Sequence, residues 1–139
     1  MIFLDTSSAI EILKGNSNLE ILSEKYKGKI FAITSPSIFE LYHGIYKLKF
    51  LKQPVSNQKY THLHDDLDAF IEQLRVFFLS ETSAKYAAKL HVQLQSKGQE
   101  IDVFDCLIAA IIITNDYKII ITKNKKHFMR IGLLKVLSF

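Results

Sequence analysis

The chain has 139 residues, a length that fits one domain with a single hydrophobic core. Hydrophobic residues make up 48% of it, including 10 Phe and 6 Tyr, which excludes a disordered chain. The only cysteine excludes an internal disulfide and indicates a reducing compartment, and the net charge of +4 suits a polyanion as well as an ordinary lysine-rich surface.

Nothing in the sequence predicts a membrane protein. The first residues lack the basic segment of a signal peptide, and an acid follows at once at Asp5. The longest apolar run, 106–113, is far shorter than the roughly 20 residues that span a bilayer. We therefore expect a cytoplasmic protein that does not associate with membranes, and a buried, unreactive thiol at Cys106 within that run.

Short apolar runs bounded by turn residues predict five strands. In chain order they are 2–4, 30–33, 76–79, 119–121 and an edge strand at 134–137. Apolar residues at helical spacing predict the intervening helices. In chain order they begin at Ser7 or Ser8, near 19, at Ser35, at 65, at 82 and at 102. The alternation predicts an α/β fold, a three-layer α/β/α domain with a central parallel sheet of about four to five strands.

The helix boundaries follow from capping residues. Ser7 or Ser8 is expected to cap the first helix, and Ser35 with Pro36 to begin a helix that continues to about residue 50. The segment 52–60 is interpreted as a connection or a fraying helix end.

Four polar residues are expected at the carboxyl edge of the sheet, where ligands bind in parallel folds. Asp5 follows the first strand and Asn124 follows the fourth. Glu40 lies in the second turn of the helix after the second strand, and Asp105 lies in the first turn of the helix before the fourth. Residues distant in sequence are thus predicted to converge.

Each of these residues also has an ordinary explanation. Asp5 suits a helix cap, Glu40 a solvated helix face, and Asn124 a turn. Asp102 and Asp105 have the spacing of a capping box, which favours a structural role for Asp102. Asp105 is harder to explain in this way, because the rest of its helix is apolar.

Taken together, the acids indicate a cation. Three carboxylates about 5 Å apart would repel one another by about 3 kcal/mol per pair at an effective dielectric of about 20. Mg²⁺, with Mn²⁺ as an alternative, prefers oxygen ligands and would compensate this charge. Such an ion activates water for attack on a phosphodiester, and a carboxylate can act as a general base.

Four segments resemble the motifs of PIN-domain nucleases, in the same order and over residues 2 to 137. The resemblance rests on Ile2-Phe3-Leu4-Asp5-Thr6-Ser7, on 37–44 around Glu40, on 98–110 around Asp105, and on 120–128 around Asn124. Within that family the chain is most similar to the VapC-like toxins of type II toxin–antitoxin pairs.

The resemblance implies one PIN-like nuclease domain over 1–139 that cleaves RNA endonucleolytically with Mg²⁺, forms a homodimer and is neutralised by a cognate antitoxin. It implies Asp5, Glu40 and Asp105 as catalytic acids. The implied metal ligands are Asp5, Asp105 and Glu40, with Asp102 ranked below them and Asn124 acting directly or through a water. Thr6 and Thr122 would be supporting hydroxyls.

One departure from the family pattern concerns Asn124, where relatives often carry Asp. An amide oxygen can still meet a metal or its water but brings no charge, which favours one metal and leaves weak or conditional activity open. Asp116 precedes the strand and is interpreted as a turn residue, not as the missing acid.

RNA phosphates would need cations near these acids. The candidates beside Asn124 are Lys123, Lys125, Lys126, His127 and Arg130, although a solvated surface explains any single lysine better. Phe39, Tyr42 and Tyr46 are interpreted as core or interface residues before base-stacking ones.

The sequence leaves two alternative functions open besides that of a toxin, and it disfavours a third. A weakly active or inactive PIN-like RNA-binding module and a non-toxin RNA-processing nuclease both stay open. A phospho-acceptor receiver domain is disfavoured, because it needs an acidic pair after its first strand, whereas Asp5 is followed by Thr6 and Ser7.

Overall fold

The computed structural model describes residues 1–51 and 55–139. Strands and helices alternate over these ranges. They are β1 (Ile2–Leu4), α1 (Thr6–Leu13), α2 (Ser17–Lys25), β2 (Phe31–Thr34), α3 (Ser35–Phe50), α4 (Asn57–Glu72), β3 (Arg75–Phe77), α5 (Glu81–Ser96), α6 (Val103–Thr114), β4 (Ile119–Ile121), α7 (Lys125–Met129) and β5 (Lys135–Leu137).

The strands form one parallel sheet in the order β3-β2-β1-β4-β5. Alternate residues of the central strand β1 face opposite layers, as the two-residue period of a strand requires. Phe3 packs into a cluster with residues of α5 and α6, whereas Ile2 and Leu4 pack on the side of α1, α2 and α4. The predicted α/β/α architecture with a parallel sheet is confirmed.

Strand register places the ends of β1 and β4 side by side. Leu4 pairs with Ile121, so the next residues, Asp5 and Thr122, leave the sheet together. The central strand is fully buried, which fixes the height of Asp5 relative to its neighbours. The sheet therefore positions one acid and one hydroxyl before any helix is considered.

Two predicted helix caps were wrong. Asp5 caps α1, because its carboxylate accepts a hydrogen bond from the amide of Ser8 at 2.9 Å. The helix begins before the expected Ser7 or Ser8, since the acid already supplies the acceptor that the free amides need. Thr34 precedes α3 and makes no side-chain cap; Ser35 instead accepts from the amide of Leu79 at 3.0 Å and joins α3 to the loop after β3.

Two helices differ from the predicted pattern. The helix α4 begins at Asn57, earlier than the expected residue 65, and Ser56 caps it by accepting from the amide of Lys59. Its first turns are polar, so apolar spacing gave no signal there. Of the segment 52–60, residues 57–60 are helical and residues 52–54 lie outside the described residues. The short helix α7 was not predicted.

Over the described ranges, none of the helices is both long enough and apolar enough to cross a bilayer. The prediction of a buried thiol is confirmed: Cys106 is 1% exposed, and burial raises its pKa to about 11. A thiol with so high a pKa is a poor nucleophile at neutral pH.

Candidate active site

Asp5 lies at the centre of the carboxyl edge and is 1% exposed. Its Oδ1 accepts from the amide of Ser8, and its Oδ2 accepts from Thr122 Oγ1 at 2.5 Å. Ser7 Oγ lies 2.8 and 2.9 Å from the two oxygens. The carboxylate is therefore held by the first turn of α1 on one side and by the end of β4 on the other.

This set of donors does not saturate Asp5. A carboxylate offers about four acceptor positions, whereas the Ser7 hydroxyl has a single hydrogen and can satisfy only one oxygen at a time. With the hydrogens of Ser8 and Thr122, three positions are filled. One acceptor position is left for a further ligand.

Glu40 lies on α3 and is partly buried. Its Oε1 accepts a hydrogen bond of 2.6 Å from Thr6 Oγ1, at the first residue of α1. Loss of hydration on burial raises the pKa of Glu40 above its ordinary 4.5, and the Thr6 hydrogen bond opposes that rise. Nearby negative charges raise the pKa further. They belong to Asp105, Asp102 and Asp5.

Asp105 is 8% exposed in the first turn of α6. Burial raises its pKa above the ordinary 3.8, and Asp5 and Asp102 add to this effect. The opposing contribution comes from His127 on α7, whose Nδ1 lies 2.8 Å from Oδ2 of Asp105. Asp105 does not reach back to Asp102, so the capping-box interpretation is only half right.

Asp102 and Asn124 occupy the margin of the site, and both are exposed. Asp102 caps α6 by accepting from the amide of Phe104 at 2.8 Å, as the structural interpretation expected. Asn124 precedes α7, and its side chain does not cap that helix. Its backbone amide donates to Thr122 Oγ1 at 2.9 Å. Asp116 lies at the end of α6 with a φ of 63°, which supports its interpretation as a turn residue.

The predicted acids lie close enough for their charges to raise the pKa values of Glu40 and Asp105, but their carboxylate oxygens do not form one tight cluster. Asp5, Asp105 and Asp102 all act on Glu40, and Asp5 and Asp102 act on Asp105. The oxygens of Asp5, Glu40 and Asp105 are nevertheless not all within 4.8 Å of one another. Over residues 1–51 and 55–139, the set of acid, thiol and imidazole donors with that spacing is His64, Asp65 and Asp68 on α4.

That second set is already paired within the protein. His64 Nδ1 lies 3.3 Å from Asp68, and Asp68 also accepts from the hydroxyl of Tyr42. The ring of His64 is flanked by Tyr42, Tyr46 and Tyr60. Among the aromatic residues considered above, Tyr42 and Tyr46 therefore contribute to α3–α4 packing, whereas Phe39 is 57% exposed.

The expected cations divide into two groups. Lys123 Nζ lies 3.3 Å from Glu11, and Arg130 Nη1 donates to the carbonyl of Glu100 at 3.0 Å. Lys125 and Lys126 are exposed in the first turn of α7. Lys123 and Arg130 therefore have structural partners.

The donor set fits a hard divalent cation. Its ligand atoms are carboxylate oxygens from three different helices or helix starts, which is the chemistry that Mg²⁺ and Mn²⁺ select. Mg²⁺ keeps several waters and needs only one or two carboxylates, so acids that are not in mutual contact suit it. Burial is the largest cause of the raised pKa values of Glu40 and Asp105, and the charges of neighbouring acids, which a cation would offset, add to it.

Comparison with known proteins agrees with the motifs and the geometry. The family model of the PIN domain matches residues 2–133. The chain belongs to the PIN-domain family.

Relatives of this PIN domain include a ribonuclease. Ribonuclease VapC2 of Rickettsia felis is 32% identical over 115 residues, which are 83% of this chain and 76% of that protein. The crystal structure of VapBC2 from the same organism, bound to a DNA fragment from their promoter, matches with a TM-score of 0.81 and 27% identity over 100% of this chain and 99% of that one.

A more distant neighbour shows the fold alone. The DNA-bound VapBC of Salmonella typhimurium has a TM-score of 0.80 at 20% identity and covers 99% of this chain and 98% of that one. The predicted resemblance to VapC-like PIN toxins is confirmed by the family match and by the Rickettsia relative.

Sequence reasoning missed two contacts in the PIN-domain site. Ser7 was considered only as a helix cap, yet its hydroxyl binds both oxygens of Asp5 and accepts from the amide of Lys123. His127 was considered only as one of several cations, yet it contacts Asp105. The sequence contains one indication of this role, because His127 belongs to the fourth motif. Its contact with Asp105 depends on the short helix α7, which brings it back toward α6.

Proposed function

We propose that this PIN domain is a divalent-metal-dependent endoribonuclease and the toxin of a toxin–antitoxin pair, with Asp5, Glu40 and Asp105 as its catalytic acids. The observation that carries the proposal is the convergence of acids from distant segments at one edge of the sheet. Glu40 accepts from Thr6, the residue after Asp5, and the charges of Asp5 and Asp105 add to the larger effect of burial in raising the pKa of Glu40. Uncompensated acids at the carboxyl edge of a parallel sheet are a site for a cation and a phosphate ligand.

The chain's own residues would hold Mg²⁺ or Mn²⁺ through oxygens that keep free lone pairs. Asp5 has one acceptor position left, and the hydrogen bonds seen among the described residues use Oε1 of Glu40 and Oδ2 of Asp105. When bound, such a cation supplies Lewis acidity that activates water and offsets charge on a phosphate. We propose that Asp102 and Asn124 contact the waters of this cation.

Hydroxyl groups would keep the acids oriented and ionised. Thr6 donates to Glu40 and thereby lowers its pKa, while Thr122 and Ser7 hold Asp5. An acid held in this way can accept a proton from an attacking water without first reorganising. We therefore assign Thr6 and Thr122 supporting roles in the same reaction.

RNA is the substrate class that this proposal names. Ribonuclease VapC2, a relative of this chain, is a ribonuclease by name, which supports RNA as the substrate. Lys125 and Lys126 are exposed on the helix that also carries His127, and we infer that they contact phosphates. Lys123 and Arg130 would contribute after giving up their present partners. Replacing Lys125 and Lys126 with Ala should reduce RNA affinity and its salt dependence, whereas Lys85→Ala on α5 should not.

A protein antitoxin is the second proposed partner. An apolar groove of about 300 Å³ runs between α1, α3 and α4, and Glu40 forms part of its lining. A segment bound there would lie beside the catalytic acids. One structure with the same fold, VapBC-5 from Mycobacterium tuberculosis, is named as a member of the VapBC family of toxin–antitoxin systems, which supports the same arrangement here.

A homodimer is proposed from exposed apolar residues at the other margin of the site. Phe39 stacks on Phe104 at 5.5 Å, and Val103 next to it is exposed. Phe78 and Leu79 are exposed too and are joined to α3 through Ser35. Light scattering should give twice the chain's mass, and Phe39→Glu should reduce it to one chain. The cytoplasmic location also remains a prediction.

The central experiment is incubation of the purified chain with cellular RNA in Mg²⁺, in Mn²⁺ and in EDTA, followed by mapping of new RNA ends. We expect discrete cleavage with either metal and none with EDTA. Asp105→Asn is the test variant, and Asp116→Asn is the matched control because it makes the same change in a turn that tolerates Asn.

The outcomes separate the competing functions. RNA binding without new ends would favour the non-cleaving PIN-like module. Cleavage by Asp105→Asn equal to that by wild type would contradict the proposed acids. Growth arrest on expression, relieved by the product of a neighbouring gene, would distinguish a toxin from an RNA-processing nuclease.

A further inference from the structure

His127 lies in direct contact with an acid of the proposed site. Its Nδ1 is 2.8 Å from Oδ2 of Asp105, whereas the side chain of Asn124, at the position where the fourth acid was expected, makes no cap and is exposed. Within the fourth motif, the contact with Asp105 is therefore made by His127, one helical turn after Asn124. The difference comes from α7, which turns His127 back toward α6.

The position of His127 is fixed from both sides. Phe128 is 0% exposed and belongs to the core cluster that contains Cys106 and Ala109 of α6. Arg130 donates to the carbonyl of Glu100, just before α6 begins. These two contacts hold α7 against the start of α6, so the ring is placed beside Asp105 by the backbone and the core.

The start of α7 is also joined to Asp5. The amide of Asn124 donates to Thr122 Oγ1, and that hydroxyl donates to Oδ2 of Asp5. A continuous path of hydrogen bonds and one short helix thus connects the two acids that are most buried. A change in the position of α7 would alter both of them.

The chemistry of the contact defines which atoms are engaged. An ionised carboxylate only accepts, so Nδ1 of a neutral His127 carries the hydrogen and Nε2 keeps a lone pair. The contact occupies Oδ2 of Asp105, and no hydrogen bond to Oδ1 is seen within ranges 1–51 and 55–139. The ring remains 41% exposed.

We propose that His127 is a positioning residue for Asp105: Nδ1 holds Oδ2, fixes the plane of the carboxylate and leaves Oδ1 available to the cation that the site would hold. This inference rests on the proposed function. Hydrogen bonds to ligating carboxylates orient them, and removing such a partner typically costs about 10–100-fold in metal affinity or activity. His127 is thus required through Asp105 and not through a contact of its own with RNA.

Two amide variants test which ring nitrogen matters. His127→Asn places a side-chain amide nitrogen at the position of Nδ1, whereas His127→Gln places one near Nε2. The readouts are the dissociation constant for Mn²⁺ by titration calorimetry and the rate of RNA cleavage. We expect His127→Ala to weaken Mn²⁺ binding by about 10–100-fold, His127→Asn to restore most of it, and His127→Gln to resemble Ala.

Several results would overturn the inference. It fails if His127→Ala binds Mn²⁺ as wild type does, or if Gln restores binding and Asn does not, since that pattern assigns the role to Nε2. Thermal unfolding of each variant checks the fold, and the comparison of Asn with Gln stays informative if Ala is unstable.

Asp105→Asn and Asp116→Asn in the same titration separate this inference from the proposed function. Loss of Mn²⁺ binding in Asp105→Asn alone, with normal binding in His127→Ala, contradicts only the positioning role. Equal binding by wild type and Asp105→Asn contradicts both.

Discussion

The two most buried acids of the site, Asp5 and Asp105, are stabilised in different ways. Asp5 is 1% exposed and accepts from Ser7, Ser8 and Thr122. Asp105 is 8% exposed, contacts His127, and has a pKa raised above its ordinary value by burial. Burial alone therefore does not decide how unfavourable a buried carboxylate is. The number of hydrogen-bond donors around the carboxylate decides it.

The difference follows from local structure. Asp5 comes between a strand and a helix, so the free amides of α1 and the hydroxyl after β4 both point at it. Asp105 lies within the first turn of a helix that is otherwise apolar, and among the described residues it contacts one side-chain donor, His127. One acid therefore contributes to the fold, whereas the other is held in place by the fold at a cost.

The largest expected effect is that of Asp105→Asn on cleavage. Loss of a ligating charge should reduce the rate by more than the roughly 10–100-fold expected when an outer hydrogen-bond partner is removed. The same change should leave the melting temperature at or above that of wild type in EDTA, because it removes a charge that burial disfavours. Cleavage assays and calorimetric melting check the two effects, with Asp116→Asn as the control.

The stability difference should also depend on pH. Because the folded-state pKa of Asp105 is raised above 3.8, the unfolded chain loses this proton first as pH rises. The penalty is therefore absent below pH 3.8 and grows as pH rises through the folded-state pKa. Melting in EDTA from acidic to neutral pH should show the advantage of Asp105→Asn widening with pH; an advantage that narrows would contradict the assignment.

Asp5→Asn should affect stability in the opposite direction. Asn can still cap α1, but its amide group cannot accept from the hydroxyl that Oδ2 now binds. We expect a loss of about 1–3 kcal/mol in the free energy of unfolding, together with loss of cleavage. Denaturant titration measures it, and Asp102→Asn is the control, since that exposed cap has one amide donor. Equal free energies of unfolding for the two variants would contradict the claim that the hydrogen bonds of Asp5 stabilise the fold.

The smallest expected effect is that of Thr6→Val. It removes the hydrogen bond to Glu40 that opposes the rise in pKa of that acid. A decrease of about tenfold in cleavage rate or Mn²⁺ affinity is expected, at the lower end for a partner of a ligating carboxylate. Thr82→Val, in the first turn of α5 and exposed, provides the matched change at a hydroxyl that makes no hydrogen bond to an acid among the described residues.

The parts of the fold that depend on local pattern could be predicted from the sequence. The strand 119–121 and the helix that continues to Phe50 have strong apolar signals, and both were predicted closely. The start of α4 lacks apolar residues, and α7 is five residues long, too short for a helical period to appear. The order of strands depends on long-range pairing and was not predicted.

The candidate site, like the fold, could be predicted only where it depends on local sequence pattern. Asp5 follows a strand directly and Glu40 lies in the second turn of the helix after the next strand, so the rule for parallel sheets predicts where they lie. The partner of Asp105 could not be inferred in this way, because its contact depends on how α7 packs through Phe128. The choice between Asn124 and His127 therefore required the structure.

Lys123 and Asn124, which follow Thr122 before α7, support Asp5 through their backbone amides and not through their side chains. The amide of Lys123 donates to Ser7 and the amide of Asn124 donates to Thr122, and these two hydroxyls are the ones that bind Asp5. Almost any residue at 123 or 124 can supply such an amide, so this short stretch is free to vary in charge and shape according to what the protein recognises. Proline is the exception, because it has no amide hydrogen to give.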